Sequence, residues 1–383
     1  MKKEIFLSFI NKLTSRLGGN DGLIQVILGP RQVGKTTTIL KLIDEQYKDV
    51  SRYVSADTVF NPGAAWLRGE WQNAIEKNQI LFIDEIQKID NWSEAIKALY
   101  DETKRAKKKI KCVLLGSSSL AIQSGLTESL TGRFQLINAY HWNYKESHQA
   151  YGLNFEEYVR YGGYPGSYRF IHTDDWNDYV LNSIINTVIE KDILLYHAVK
   201  KPALFKQAFE IIVSYPAQEI SYAKLLGQLQ DGGNTDLIKY YLELYQGAFL
   251  IKILEKYSEK VIKIKASSPK IIPLAPCIPY IQTRTAYDAE VKGRIFELMV
   301  GAQLVRTNEQ LYYWREGKFE VDYVLKSGSK VFAIEVKSGK KRSERGLEEF
   351  KKRFKKARGI IINLENYIEF ENDPMSFLEK WSL

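Results

Sequence analysis

The sequence predicts an α/β protein built on a parallel sheet, with a largely helical middle and a second, smaller α/β module towards the C-terminal end. Three observations predict it. Five short apolar segments, Leu23–Leu28, Arg52–Ser55, Ile80–Ile83, Cys112–Gly116 and Phe134–Tyr140, are bounded by Gly, Asp or Ser and mostly separated by helical patterns. The first of them runs into a glycine-containing loop that opens a helix. Residues 283–383 then return to strands framed by helices. Strands that read as unbroken apolar runs belong to parallel sheets covered on both faces.

The elements follow in order. Met1–Ile10 carries Lys2 and Lys3, and its apolar stretch breaks at Asn11 and Lys12 with no small-residue cleavage site, so an amphipathic first helix is expected there and not a signal peptide. In Asn91–Lys109, Trp92, Ala95, Ile96, Leu99 and Tyr100 recur at helical spacing. Phe155–Tyr215 is almost wholly helical, broken by Gly162-Gly163-Tyr164-Pro165. Ala203–Lys265 suggests a winged helix: a helix over Leu204–Ser214, one after the Ser221 cap, a turn at Asp231-Gly232-Gly233, a third helix from Asn234 or Thr235, and strands Phe249–Leu254 and Val261–Lys265. Ser267–Pro279 holds Pro269, Pro273, Pro276 and Pro279, which excludes a long helix or a central strand and reads as an inter-domain connector. Helix Ala289–Arg306, strands Leu311–Trp314, Glu320–Leu325 and Val331–Val336, helix Glu344–Lys356, strand Gly359–Asn363 and a helix near Pro374–Leu383 complete the chain.

Composition narrows the function. A length of 383 residues suits two or three domains. Lys and Arg number 55 against 46 Asp and Glu, a net charge of +9 that favours polyanionic partners. Cys112 and Cys277 are the only cysteines and the four histidines are scattered, which excludes a disulfide framework and a multi-cysteine zinc site. No apolar run approaches the ~18 residues of a membrane helix. A cytoplasmic protein with no membrane partner is expected.

Gly29-Pro30-Arg31-Gln32-Val33-Gly34-Lys35-Thr36, followed by Thr37, is a G-x-x-x-x-G-K-T phosphate loop between strand Leu23–Leu28 and helix Thr36–Asp44. Backbone N–H groups and the positive end of the helix would cradle phosphates. Lys35 would neutralise phosphate charge, and the Thr36 hydroxyl would meet Mg²⁺. Ile80-Leu81-Phe82-Ile83 ends in Asp84 and Glu85, at the strand end where open α/β sheets bind ligands. Asp84 suits the Mg²⁺ shell, and Glu85 suits activation of the attacking water. Ser117, after the fourth strand, is placed either to sense the γ-phosphate and orient water or to cap the next helix. Arg133, just before the fifth strand, is either a finger for a neighbouring subunit's γ-phosphate or a surface ion pair.

The phosphate loop, Leu81-Phe82-Ile83-Asp84-Glu85-Ile86-Gln87, Gly116-Ser117-Ser118-Ser119 and Tyr161-Gly162-Gly163-Tyr164-Pro165 together resemble the prokaryotic AAA+ ATPases. The resemblance implies an AAA+ core over residues 1–149, a helical lid and winged helix over 150–282, and a C-terminal domain over 283–383. The phosphate loop, Asp84 and Glu85 lead to an expectation of ATP hydrolysis with Mg²⁺, and the finger reading of Arg133 to a homo-oligomer. Arg160 and Arg169 both qualify as the lid arginine.

The C-terminal region carries a second constellation. Asp322 lies on Glu320–Leu325, and Glu335 and Lys337 share one face of Val331–Lys337. This D…E-x-K arrangement resembles the restriction-endonuclease core, in which two carboxylates hold Mg²⁺ and the lysine positions water. Glu297 resembles the further acid on that fold's first helix. A solvated strand face is the plain alternative. From Glu335 to Ile360, both included, there are eleven Lys or Arg against four Glu. Helix Glu344–Lys356 turns Leu347, Phe350 and Phe354 inward and leaves Lys351, Lys352, Arg353, Lys355 and Lys356 outward, a face suited to DNA phosphates or simply to water. Lys104–Lys111 is a second basic run. The third winged-helix helix, with Asp236 and Glu243 against Lys239, presents no positive face. Two functions follow: an ATPase coupled to a DNA-binding, nuclease-like module, or an ATP-driven switch whose module binds protein or nucleic acid without cutting.

Overall fold

The computed structural model describes residues 5–117, 119–229, 234–258, 267–283, 289–339 and 344–382. The chain divides into two compact units where the sequence suggests three domains. One holds the described residues up to His141 and takes in Asn182–Ala198; the other holds Trp142–Leu181 and the residues from Val199 onward.

The first unit is a parallel sheet of β1 (Ile24–Leu28), β2 (Ser51–Ser55), β3 (Ile80–Asp84), β4 (Lys111–Leu115) and β5 (Phe134–Asn138), in the order β2-β3-β4-β1-β5. All five residues of β1 and of β3 are buried, as strands covered on both faces require. The order puts the C-terminal ends of β1, β4 and β3 side by side. The first helix is Phe9–Gly18, later than the expected Met1–Ile10; it buries Phe9, Ile10, Leu13 and Leu17 on one face.

The second unit carries a seven-stranded mixed sheet. Its strands are β6 (Gln218–Glu219), β7 (Ile251–Lys256), β8 (Lys270–Pro273), β9 (Gln310–Glu316), β10 (Phe319–Ser327), β11 (Lys330–Lys337) and β12 (Ala357–Asn363). Their order is β12-β11-β10-β9-β7-β8-β6. The expected connector is therefore a correction. Lys270–Pro273 is a strand paired on both sides, antiparallel to β7 and β6, and Cys277–Thr283 is a helix. Proline is tolerated because Pro273 ends the strand and Pro269 precedes it. The expected strand Val261–Lys265 and the turn Asp231-Gly232-Gly233 lie outside the described residues.

Helix Arg345–Arg353 packs Leu347 and Phe350 on Trp314, Val321, Val324 and Ala333, with Phe354 half-buried beside them. Gly346 makes the approach possible, since a Cβ there would lie 1.9 Å from the Glu320 carbonyl oxygen. Gly301 does the same for helix Ala289–Val305, where a Cβ would stand 2.5 Å from the Tyr323 hydroxyl. Asn143 and Glu146 form a capping box on helix Tyr144–Tyr151, and Arg306 binds both oxygens of the same Glu146 at 3.0 and 3.2 Å.

Candidate functional site

Three adjacent strand ends build the first site. β1 runs into the phosphate loop, and helix Lys35–Leu42 starts directly behind it. Gly34 has φ +81°, a left-handed backbone that glycine adopts without strain. Gly29 is fixed by space, because a Cβ would fall 1.9 Å from the Ala139 carbonyl oxygen beyond β5. Val33 is buried, whereas Gln32 and Thr37 are exposed. Lys35 is buried, and its ammonium donates to the carbonyls of Gly29 at 2.9 Å and Pro30 at 2.7 Å. Burial pulls its pKa down to about 8 against the opposing pull of Glu85 and Asp84.

Asp84 is buried at the end of β3. Its Oδ2 accepts from the Thr36 hydroxyl at 2.7 Å and from Tyr53 at 2.9 Å, and its Oδ1 accepts from the Glu85 N–H at 2.8 Å. Burial, and after it Asp84, push the Tyr53 hydroxyl up, so it remains a donor. Glu85 takes a left-handed backbone at φ +53°. Its Oε2 accepts from the Ser117 hydroxyl at 2.8 Å, the Ser117 N–H at 3.3 Å and the Gln87 amide. Gly116 leaves space for Gln87, whose Oε1 would be 2.1 Å from a Cβ there. Ser117 is thus a holder of Glu85. A hydroxyl and a carboxylate meeting beside a phosphate loop form the hard-oxygen donor set that Mg²⁺ takes together with phosphate oxygens. Thr36 and Asp84 fit that ion.

Sequence reasoning missed Tyr53, Gln87 and Asp192. Arg31, inside the phosphate loop, donates through two nitrogens to the buried Asp192, both at 2.5 Å. No local pattern announces a partner so distant in sequence. Arg133 is not brought to its own phosphate loop. Its carbonyl accepts from the Ile24 N–H at the opposite end of β1, about 16 Å away at ~3.3 Å per strand residue. Its guanidinium binds Asp101 twice at 2.9 Å. Arg160 stacks on Tyr161 and Tyr280, and Arg169 on Phe170 and Tyr179.

The carboxylates of the second unit are brought together. Asp322 sits where β10 shifts register against β9, an irregularity that re-aims side chains. Asp322 and Glu335 are buried, and Asp322 Oδ2 accepts from the Val336 N–H at 2.8 Å. Burial, with neighbouring carboxylates after it, pushes both groups above the usual carboxylate range. At the expected Mg²⁺ set of Glu297, Asp322 and Glu335 a lysine intervenes. Lys270 Nζ donates to Glu297 Oε1 at 2.5 Å and to the Asp322 carbonyl at 3.0 Å. Among the described residues, no group of three or more His, Cys, Asp or Glu side chains is placed to hold a metal ion. Clustered buried carboxylates need a cation, and here a lysine supplies it. Lys337 pairs with Glu344 at 3.2 Å. Lys351, Lys352, Arg353, Lys355 and Lys356 are exposed, with Arg353 on Glu316 and Lys352 3.8 Å from Glu349.

Residues 21–148 match the AAA domain family, 152–274 the domain of unknown function DUF8612, and 292–378 the domain of unknown function DUF4143. The chain is 24% identical over 370 residues to the uncharacterized protein MJ1544 of Methanocaldococcus jannaschii, covering 89% of this chain and 81% of that one. Among solved structures it is similar to the Walker-type ATPase PABY2304 of Pyrococcus abyssi, at 14% identity and TM-score 0.46, over 72% of this chain and 94% of that one. It is also similar to the RuvB Holliday junction branch migration motor of Thermotoga maritima, at 15% identity and TM-score 0.32, over 64% and 88%. The AAA domain supports nucleotide binding and ATP hydrolysis. Among the described residues, no helix is long and apolar enough to cross a membrane.

Proposed function

We propose that this chain is a Mg²⁺-dependent ATPase whose nucleotide state switches a C-terminal module that binds DNA by its phosphates without cutting it. The observation that carries the ATPase half is the contact of Thr36 with Asp84 beside a Glu85 held by Ser117 and Gln87. When bound, Mg²⁺ would draw charge from the phosphates. Lys35 would neutralise phosphate charge, and Thr36 and Asp84 would hold the ion. Glu85 takes the proton of the attacking water, and Ser117 and Gln87 fix its carboxylate. Wild-type protein is expected to release phosphate from ATP when Mg²⁺ is added, and Lys35→Ala to lose ATP binding and turnover together. With no nucleotide bound, Lys35 loses its proton as pH rises through about 8. ATP affinity should therefore be flat below that pH and fall above it. Affinity unchanged to pH 10 removes Lys35 from phosphate binding.

Arg133 is assigned the trans finger of a homo-oligomer, exchanging Asp101 for a neighbour's γ-phosphate. Arg133→Ala should bind ATP and hydrolyse it poorly, and mixing it with Lys35→Ala should restore part of the rate. A concentration-independent rate in a monomeric sample removes the finger.

The exposed lysines of helix Arg345–Arg353 and the turn after it support DNA binding. The helix–strand–helix–helix–strand–strand run with strands in the order β6-β8-β7 supports a winged helix. Changing Lys351, Lys352, Lys355 and Lys356 to Glu should weaken binding to all DNA sequences alike. It should also lower the salt slope by about 0.9 for each phosphate that is no longer neutralised. Binding unaltered by the change, or insensitive to salt, leaves a protein partner. The alternative, a module that also cuts, draws on the restriction-endonuclease-like pattern of Asp322, Glu335 and Lys337, and cleavage of plasmid DNA with Mg²⁺ or Mn²⁺ would favour it over binding alone.

A further inference from the structure

We propose that the ammonium of Lys270 is the resident cation of the Asp322–Glu335–Glu297 centre, so that this centre takes no divalent metal ion. The inference rests on the reading of the C-terminal module as one that binds without cutting, and it gives that reading its chemical cause.

The position of Lys270 is built. It begins β8, and its side chain is 8% exposed although it carries a full charge. Three neighbours surround the ammonium. Glu297 Oε1 lies at 2.5 Å, the Asp322 carbonyl oxygen at 3.0 Å, and the face of the Tyr323 ring 4.7 Å from Nζ to its centroid. An ammonium has three protons to place, and two anionic or carbonyl oxygens with an aromatic face use all three directions. The ring is fixed in turn, because the Tyr323 hydroxyl donates to the Glu297 carbonyl at 2.8 Å. Lys270 therefore ties helix Ala289–Val305 to β10 at the residue that a metal ion would have to reach.

A divalent ion in this place would meet two obstacles. Its positive charge would stand close to an ammonium that has no room to withdraw into water, and Glu297 would have to leave a buried ion pair. Asp322 Oδ2 holds the Val336 N–H, and Lys337, the lysine of the E-x-K pattern, is turned to Glu344. Glu335 Oε2 is buried with no hydrogen-bond partner among the described residues, which makes it the oxygen a metal ion would take once Lys270 no longer fills the centre. Lys270 comes from the proline-rich segment outside the D…E-x-K pattern, so the pattern by itself does not announce it.

The test titrates nucleotide-free full-length protein with Mn²⁺ and reads bound ion by electron paramagnetic resonance. Ion belonging to this centre is the part that disappears on Asp322→Asn. Wild type is expected to show none. Lys270→Ala and the isosteric Lys270→Met should each gain one bound Mn²⁺ per chain, removed again by adding Asp322→Asn. Mn²⁺ bound to wild type and absent from Asp322→Asn overturns the proposal. So does a folded Lys270→Ala or Lys270→Met that gains no ion. Should neither lysine variant fold, the wild-type titration decides alone, absence of Asp322-dependent ion supporting the proposal and its presence overturning it. Salt-dependent DNA retention by the same wild-type sample is read separately. A metal-binding centre with DNA retained sinks this inference only, whereas failure to retain DNA with no metal bound sinks the module's DNA reading only.

Discussion

Glu85→Gln is expected to bind ATP as wild type does and to hydrolyse it about 10²–10⁴-fold more slowly, the range a positioned general base contributes. Binding survives because the phosphates rest on Lys35 and the backbone of the loop, neither of which the amide disturbs. Turnover falls because an amide takes no proton from water. Ser117→Ala should lie between the two. It removes the 2.8 Å bond from the hydroxyl but leaves the Ser117 N–H and the Gln87 amide on the same oxygen. Measuring phosphate release under saturating ATP and Mg²⁺ separates the three proteins. Equal rates for wild type and Glu85→Gln would remove Glu85 from the chemistry.

Arg306→Ala should cost about 3–5 kcal/mol, the usual penalty for stranding one member of a buried ion pair. Arg306 and Glu146 are 13% and 9% exposed at their side chains, so water does little to rescue the carboxylate left behind. The loss reaches further than the pair, since Glu146 Oε2 also accepts the Asn143 N–H that starts helix Tyr144–Tyr151. Urea unfolding monitored by far-ultraviolet circular dichroism should show the loss in the transition of this unit. Glu146→Ala should be similarly damaging. The double variant should lose clearly less than the sum, because the second removal discards a group whose opposite charge is already gone. Strictly additive losses, or single losses below about 1 kcal/mol, would show a pair that contributes nothing.

Much of this was legible in the residues. Three of the five strands of the parallel sheet, β1, β3 and β4, are mostly apolar runs, and the loop, Asp84 and Glu85 sit at strand ends where the sheet order brings them together. Strands β9 to β12 follow from short runs rich in β-branched and aromatic residues, and the inward face of Arg345–Arg353 follows from helical periodicity. What the sequence hid are contacts between distant segments. Lys270 was masked by its prolines, which argue against a strand although only the strand's last residue is one. Asp192 and Tyr53 have no neighbours in sequence to mark them, and each acquires its meaning only by touching the phosphate loop or Asp84. Arg133 reads as a finger from its place before β5, while its contact with Asp101 depends on a helix 32 residues earlier.

The excursion of Asn182–Ala198 into the first unit bears on how such a protein can be inherited in pieces. The chain passes between the units three times, and its second stretch in the first unit brings Asp192 to Arg31 of the phosphate loop. A gene segment encoding residues 21–148, the span of the AAA match, would carry the loop without the aspartate that holds its arginine. One recombination junction therefore cannot transplant this ATPase unit without also carrying Trp142–Leu181 of the other unit. Exchange between relatives should be tolerated when the 182–198 segment travels with its own phosphate loop, and should fail when the two come from different parents and Arg31 faces a residue other than a carboxylate.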